Sequence, residues 1–133
     1  MKNTIKYYWP TVLWAFFILL LCSIPISIKE GRGIFFTGFD KLVHCGLFFV
    51  LSVLYCAGSI RKWHTSSIRI EIAVKNTIVL LSYGAFIEVL QSRVFTWRSG
   101  DWNDLLADTI GGCMGIFAVL VTSNAINHTN EKS

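Results

Sequence analysis

The residues of this chain that could do chemistry fall in three short stretches: Asp40, Lys41 and His44; Glu88 and Gln91; and Arg98, Asp101, Asp104 and Asp108. Glu88, Asp108 and His44 are candidate catalytic acid–base groups, since positioned carboxyls and an imidazole can pass protons to and from a substrate. Lys41 and Arg98 are candidate ligand-binding residues for an anionic headgroup or phosphate, with Arg98 offering a two-pronged fork and His44 assisting. Gln91, Asp40, Asp101 and Asp104 complete the candidate ligand-binding set. There is no nucleophile elbow, no phosphate-cradling glycine loop and no thiol near these residues by spacing. A metal site built from His44, Glu88, Asp104 and Asp108 is chemically possible. No HExxH or paired-histidine spacing supports it, so neither a metal nor a cofactor is expected.

Each of these residues also has a plain structural reading. Glu88 with Arg98 or Lys41 could be an ion pair that fixes helix packing. Asp40 and Asp101 could be N-caps of the helices that follow them. Asp40, four residues before His44, could orient its ring. Gln91 could hydrogen-bond across helices.

Spacing groups the candidates by face. Asp40 and His44 are four apart and share one side of a helix. Gly84, Glu88 and Gln91 follow at +4 and +3. Asp104, Asp108, Gly111 and Gly115 follow at +4, +3 and +4, a stripe of two carboxylates and then two glycines. The glycines allow a close helix approach, either within the chain or to a second copy.

The elements that must carry these faces are membrane-spanning helices. Hydrophobic residues make up 53% of the 133 residues and charged residues only 15%, against about 25% charged in soluble domains. The chain lacks the charge needed to cover a wet surface, so a second solvent is implied. The net charge of +4 is scattered and forms no basic stripe, so no nucleic-acid partner is expected. Cys22, Cys45, Cys56 and Cys113 lie in apolar runs without CxxC spacing and read as small buried side chains.

A spanning helix needs about 20 mostly apolar residues. Four windows qualify, over about 10–28, 41–60, 72–92 and 103–123. The expected fold is all-α: a polytopic membrane protein with four transmembrane helices in an antiparallel bundle, forming a single domain over 1–133. The tail 124–133 is polar and is expected to be frayed or disordered. The first span lacks a small-x-small cleavage site near Ser23 and reads as a retained helix rather than a leader.

With four spans, the N-terminus, the 61–75 loop and the C-terminus share one side and hold seven Lys or Arg residues, against five on the other. The positive-inside rule places both termini in the cytoplasm. Trp9 and Trp63 then flank the inner boundary, and Trp97 and Trp102 the outer one. The second helix starts where the third ends and the fourth starts. At 1.5 Å rise per residue, His44, Glu88 and Asp108 lie within roughly 10 Å of that outer boundary. Ionisable groups at such depth normally face the bundle interior and have partners.

Three motifs recur in order: Asp40-Lys41-x-x-His44, then Tyr83-Gly84-x-x-x-Glu88-x-x-Gln91, then Arg98-x-x-Asp101-x-x-Asp104-Leu105-x-Ala107-Asp108-x-x-Gly111-x-x-x-Gly115. On these the chain resembles the VanZ-like family of bacterial membrane proteins over about residues 10–120. The resemblance implies a four-helix membrane fold in the bacterial plasma membrane. It also implies membership of a family whose founding members are linked to low-level resistance to teicoplanin-type glycopeptides; it implies no particular biochemical activity.

The residues themselves point to an outward-facing polar pocket between the second, third and fourth helices that binds a cell-envelope lipid headgroup or related amphiphile. Two other classes stay open. One is a membrane-embedded enzyme acting on an envelope lipid. The other is a non-catalytic accessory protein whose polar cluster serves only its fold.

Overall fold

The computed structural model describes residues 4–24, 38–94 and 101–130. Four helices account for nearly all of them: α1 Thr4–Ser23, α2 Phe39–Trp63, α3 Ile70–Arg93 and α4 Trp102–Asn130. All four are long and apolar enough to cross a membrane. At 1.5 Å per residue each reaches about 30 Å or more, the thickness of the hydrocarbon layer. No strand occurs among the described residues. The chain is therefore an all-α, multi-pass membrane protein.

The helix ends differ from the windows read by hydropathy. α1 begins at Thr4 and carries Pro10 inside it. The expected continuation of the first span beyond Ile24 lies outside the described residues. α4 runs on to Asn130, so the frayed tail expected over 124–133 is corrected for 124–130. The reason is tertiary: Asn127 Nδ2 donates to the Ser66 carbonyl at 3.1 Å and ties the last turns of α4 to the α2–α3 connection.

α2 and α4 share the most extensive interface, and glycine makes it possible. A Cβ on Gly111 would collide with the Cys45 carbonyl, and one on Gly115 would lie 2.7 Å from the Phe49 carbonyl and 2.8 Å from Ser52 Cβ. Residue numbers rise together along this contact, so α2 and α4 run in the same direction. The small-residue stripe is thus filled within the chain. α3 meets α4 in the opposite sense, with Gly84 against Asp108 and Leu80 against Gly112.

Polar bonds cross the bundle between these contacts. Ser52 Oγ donates to the Gly112 carbonyl at 2.9 Å, and Asn76 Nδ2 donates to Ser52 Oγ at 3.1 Å. Trp14 Nε1 donates to the Leu47 carbonyl at 3.0 Å, and Tyr83 Oη donates to the Ala15 carbonyl. In hydrocarbon such interhelical bonds contribute on average about 0.6 kcal/mol each. Phe48, Ile18, Leu51, Leu80 and Ile87 fill the space between them. Large apolar side chains such as Val12, Leu13, Phe16, Phe117 and Val121 point outward, as a lipid solvent allows. Cys22 and Cys56 are buried as expected, whereas Cys113 is exposed because it lies on the outer side of α4.

Candidate functional site

The polar residues gather at one end of the bundle, where α2 begins, α3 ends and α4 begins. α2 starts at Phe39 behind Gly38, whose φ of 95° falls in the left-handed region that glycine adopts without cost. Asp40 therefore sits in the first turn of α2 and not at its cap, a correction to the capping reading. Asp101 does cap α4: its Oδ1 accepts the Asn103 backbone N–H at 2.9 Å, which satisfies one of the open donors of the first turn.

His44 and Asp108 form the deep centre. They are 3% and 1% exposed, and His44 Nδ1 lies 3.0 Å from Asp108 Oδ1. An ionised Asp108 accepts the Nδ1–H, which fixes the ring across the α2–α4 interface. The ring is thus held from α4, where the sequence points to Asp40 as its orienting neighbour. Asp40 is still close, since Asp40, His44 and Asp104 offer ligand atoms within 4.8 Å of one another.

Lys41 lies nearer the boundary. Its Nζ donates to Asp101 Oδ2 at 3.1 Å and to Asp104 Oδ1 at 3.3 Å. Its partners are these two aspartates and not Glu88, so the Lys41–Glu88 pair expected from the sequence is not formed. The Asp101 carboxyl is held below the usual carboxylate range, first by the Asn103 amide and then by the Lys41 ammonium. Glu88 turns its Oε2 to the Asp101 backbone N–H at 2.8 Å, which joins the end of α3 to the start of α4. Its Oε1 is buried with no hydrogen-bond partner among the described residues.

Gln91 is fully buried, and neither its Oε1 nor its Nε2 has a partner among the described residues. Gly84, on the same face of α3, lies against Asp108 and Leu105. Carrying that register forward places Gln91 opposite the first turn of α4. The expected interhelical hydrogen bond from Gln91 is not formed there. Arg98 and Trp97 lie outside the described residues.

Seven of the nine candidates, all but Gln91 and Arg98, are linked by these contacts: Asp40, Lys41, His44, Glu88, Asp101, Asp104 and Asp108. His44, Glu88 and Asp108 offer ligand atoms within 4.8 Å of one another. The arrangement can exchange a proton between His44 and Asp108, hold a cation among carboxylates, or seat a polar headgroup. Sequence reading passed over Asn76 and Ser52, which knit the middle of the bundle. The signal was present in the spacing of His44, Ser52, Cys56 and Ser59 along one side of α2.

No curated protein and no solved structure matches this chain. The family model described as VanZ/LLP1 matches residues 3–123, a span that contains all three motifs and all four helices up to the last turns of α4, and the chain therefore belongs to the VanZ/LLP1 family.

Proposed function

We propose that this protein binds the headgroup of a cell-envelope lipid, or of a related amphiphile, in the polar pocket between α2, α3 and α4. The pocket faces outward from the bacterial plasma membrane, with both termini in the cytoplasm. The observation that carries this reading is Gln91. An amide fully buried without a hydrogen-bond partner among the described residues is costly, about 1–3 kcal/mol on mutational scales, and a headgroup reaching it would supply the missing bonds. The polar cluster lies at the ends of the spanning helices, where headgroups meet a membrane protein, and exposed apolar side chains cover the helices along their length.

The ligand chemistry is read from Lys41, His44 and Arg98, whose charges suit a phosphate or other anionic group. Mass spectrometry of lipids that copurify with the protein tests this. The wild type is expected to enrich one lipid class over the bulk extract, and Gln91→Leu to lower that enrichment severalfold. A wild type that carries only the bulk lipid composition would end the reading.

A second reading, an enzyme acting on an envelope lipid, draws on the His44–Asp108 contact beside Glu88. In that case His44, Asp108 and Glu88 serve as acid and base. Glu88→Gln would then abolish turnover of the copurified lipid while leaving its binding intact.

A further inference from the structure

We infer that His44, Glu88 and Asp108 form a binding site for one divalent transition-metal ion at the base of the pocket. The three residues come from three different helices, and their ligand atoms lie within 4.8 Å of one another. One imidazole with two carboxylates is a donor set suited to zinc or manganese. Magnesium, which prefers oxygen ligands and keeps its waters, fits it poorly.

The spacing along one edge, a hydrogen-bond distance, is also compatible with adjacent metal ligands. With bonds of about 2.1 Å, adjacent ligands of an octahedral ion sit about 3.0 Å apart. His44 Nδ1 and Asp108 Oδ1 are 3.0 Å apart. A shared proton and a metal ion are alternative occupants of the same gap. Glu88 Oε2 is engaged by the Asp101 amide, but the buried Oε1 has no donor among the described residues. An ion held beside it would satisfy that oxygen.

A neighbouring trio, Asp40, His44 and Asp104, is equally compact. There the Lys41 ammonium already lies against Asp104, whereas the deeper trio includes Glu88, whose buried Oε1 has no hydrogen-bond partner among the described residues. Gln91, which also carries the lipid-binding reading, lies one turn from Glu88 on the same face of α3. Its buried amide has both atoms unpartnered among the described residues. Three protein ligands leave further coordination positions for water or a phosphate oxygen, and a water or oxygen there gives that amide something to bond. The site shares the pocket of the lipid-binding reading but needs no lipid to form.

The test uses tag-free, full-length protein in detergent, delipidated and treated with a chelator. Zn²⁺, Mn²⁺ and Mg²⁺ are titrated separately by calorimetry, and retained metal is counted after gel filtration. One Zn²⁺ or Mn²⁺ per chain is expected, with Mg²⁺ at least tenfold weaker. Glu88→Gln and Asp108→Asn should each weaken Zn²⁺ binding at least tenfold with unchanged helical circular dichroism. No binding by the wild type, or equal binding by both variants, overturns the site. Should the variants misfold, pulsed EPR of Mn²⁺ on the wild type decides instead. Nitrogen coupling from the imidazole supports the site, and oxygen-only coupling overturns it. Lipid enrichment that persists when no metal binds would sink the ion and leave the headgroup reading standing; metal binding without lipid enrichment would do the reverse.

Discussion

At the scale of single residues, the pocket divides into a buried centre and an exposed rim. His44 and Asp108 satisfy each other where water is absent, and either one alone would be an expensive buried polar group. Lys41 and Asp101 meet where both side chains are about two-fifths exposed, at 42% and 41%, and solvent screens them. The rim nevertheless reports on acid. Asp101 sits outside the spans with its carboxyl held below the usual range, by the Asn103 amide and by Lys41. A lowered folded-state value means its stabilising effect is complete above the unfolded value, near pH 3.9. The effect is lost as pH falls through the folded value. Asp101→Asn keeps a capping side chain but removes the charge. The thermal midpoint of the wild type in detergent should exceed that of Asp101→Asn at pH 6, and the gap should narrow as pH falls below the unfolded value. A gap that stays constant into acid would mean that the charge plays no part.

At the scale of elements, the α2–α4 contact decides where everything else lies. Gly111 and Gly115 let the two backbones touch, which brings His44 within reach of Asp108 and Lys41 within reach of Asp104. A methyl group at position 111 has nowhere to go, because the obstacle is the Cys45 backbone and not a movable side chain. Gly111→Ala should therefore destabilise the folded protein by about 1–3 kcal/mol, the usual range for overpacking, and loosen the pocket with it. Gly46 lies on the open side of the same α2, where an added Cβ meets nothing within 4 Å. Gly46→Ala should be neutral or stabilising by up to about 1 kcal/mol. Equilibrium unfolding in mixed micelles measures both. Equal effects from the two substitutions would show that the close approach does not govern stability.

At the scale of the whole molecule, the bundle has two unlike ends. One carries the polar pocket. At the other, Tyr8 Oη lies 3.0 Å from Ser59 Oγ, and Asn127 reaches Ser66, so the start of α1, the α2–α3 connection and the end of α4 lie together. The excess of Lys and Arg at this second end is the ground on which the positive-inside rule proposes a cytoplasmic side for it. In a background with Cys22, Cys45, Cys56 and Cys113 replaced, Asn103→Cys should react with a membrane-impermeant maleimide in intact cells. Ser66→Cys should react only once the membrane is opened. The opposite pattern would invert the orientation, and labelling of both in intact cells would contradict the spanning arrangement.

Much of this was legible in the residues themselves. Composition and run length determined that the solvent is a membrane and that four helices cross it, because burying backbone in hydrocarbon leaves few alternatives to a helix. Spacing along each helix determined which polar residues share a face, and alternation of the spans determined that three polar ends meet at one boundary. What lies between helices was not legible. That Asp108, and not Asp40, holds the His44 ring, that Lys41 pairs with Asp101 and Asp104 and not with Glu88, and that the glycine stripe is filled by α2 depend on helix rotation and relative height. Tertiary packing alone decides these, since a 3.6-residue period fixes directions about one axis and says nothing of the register between two. The extension of α4 to Asn130, with Asn127 bonded to the Ser66 carbonyl, is likewise a feature that spacing along the chain does not give.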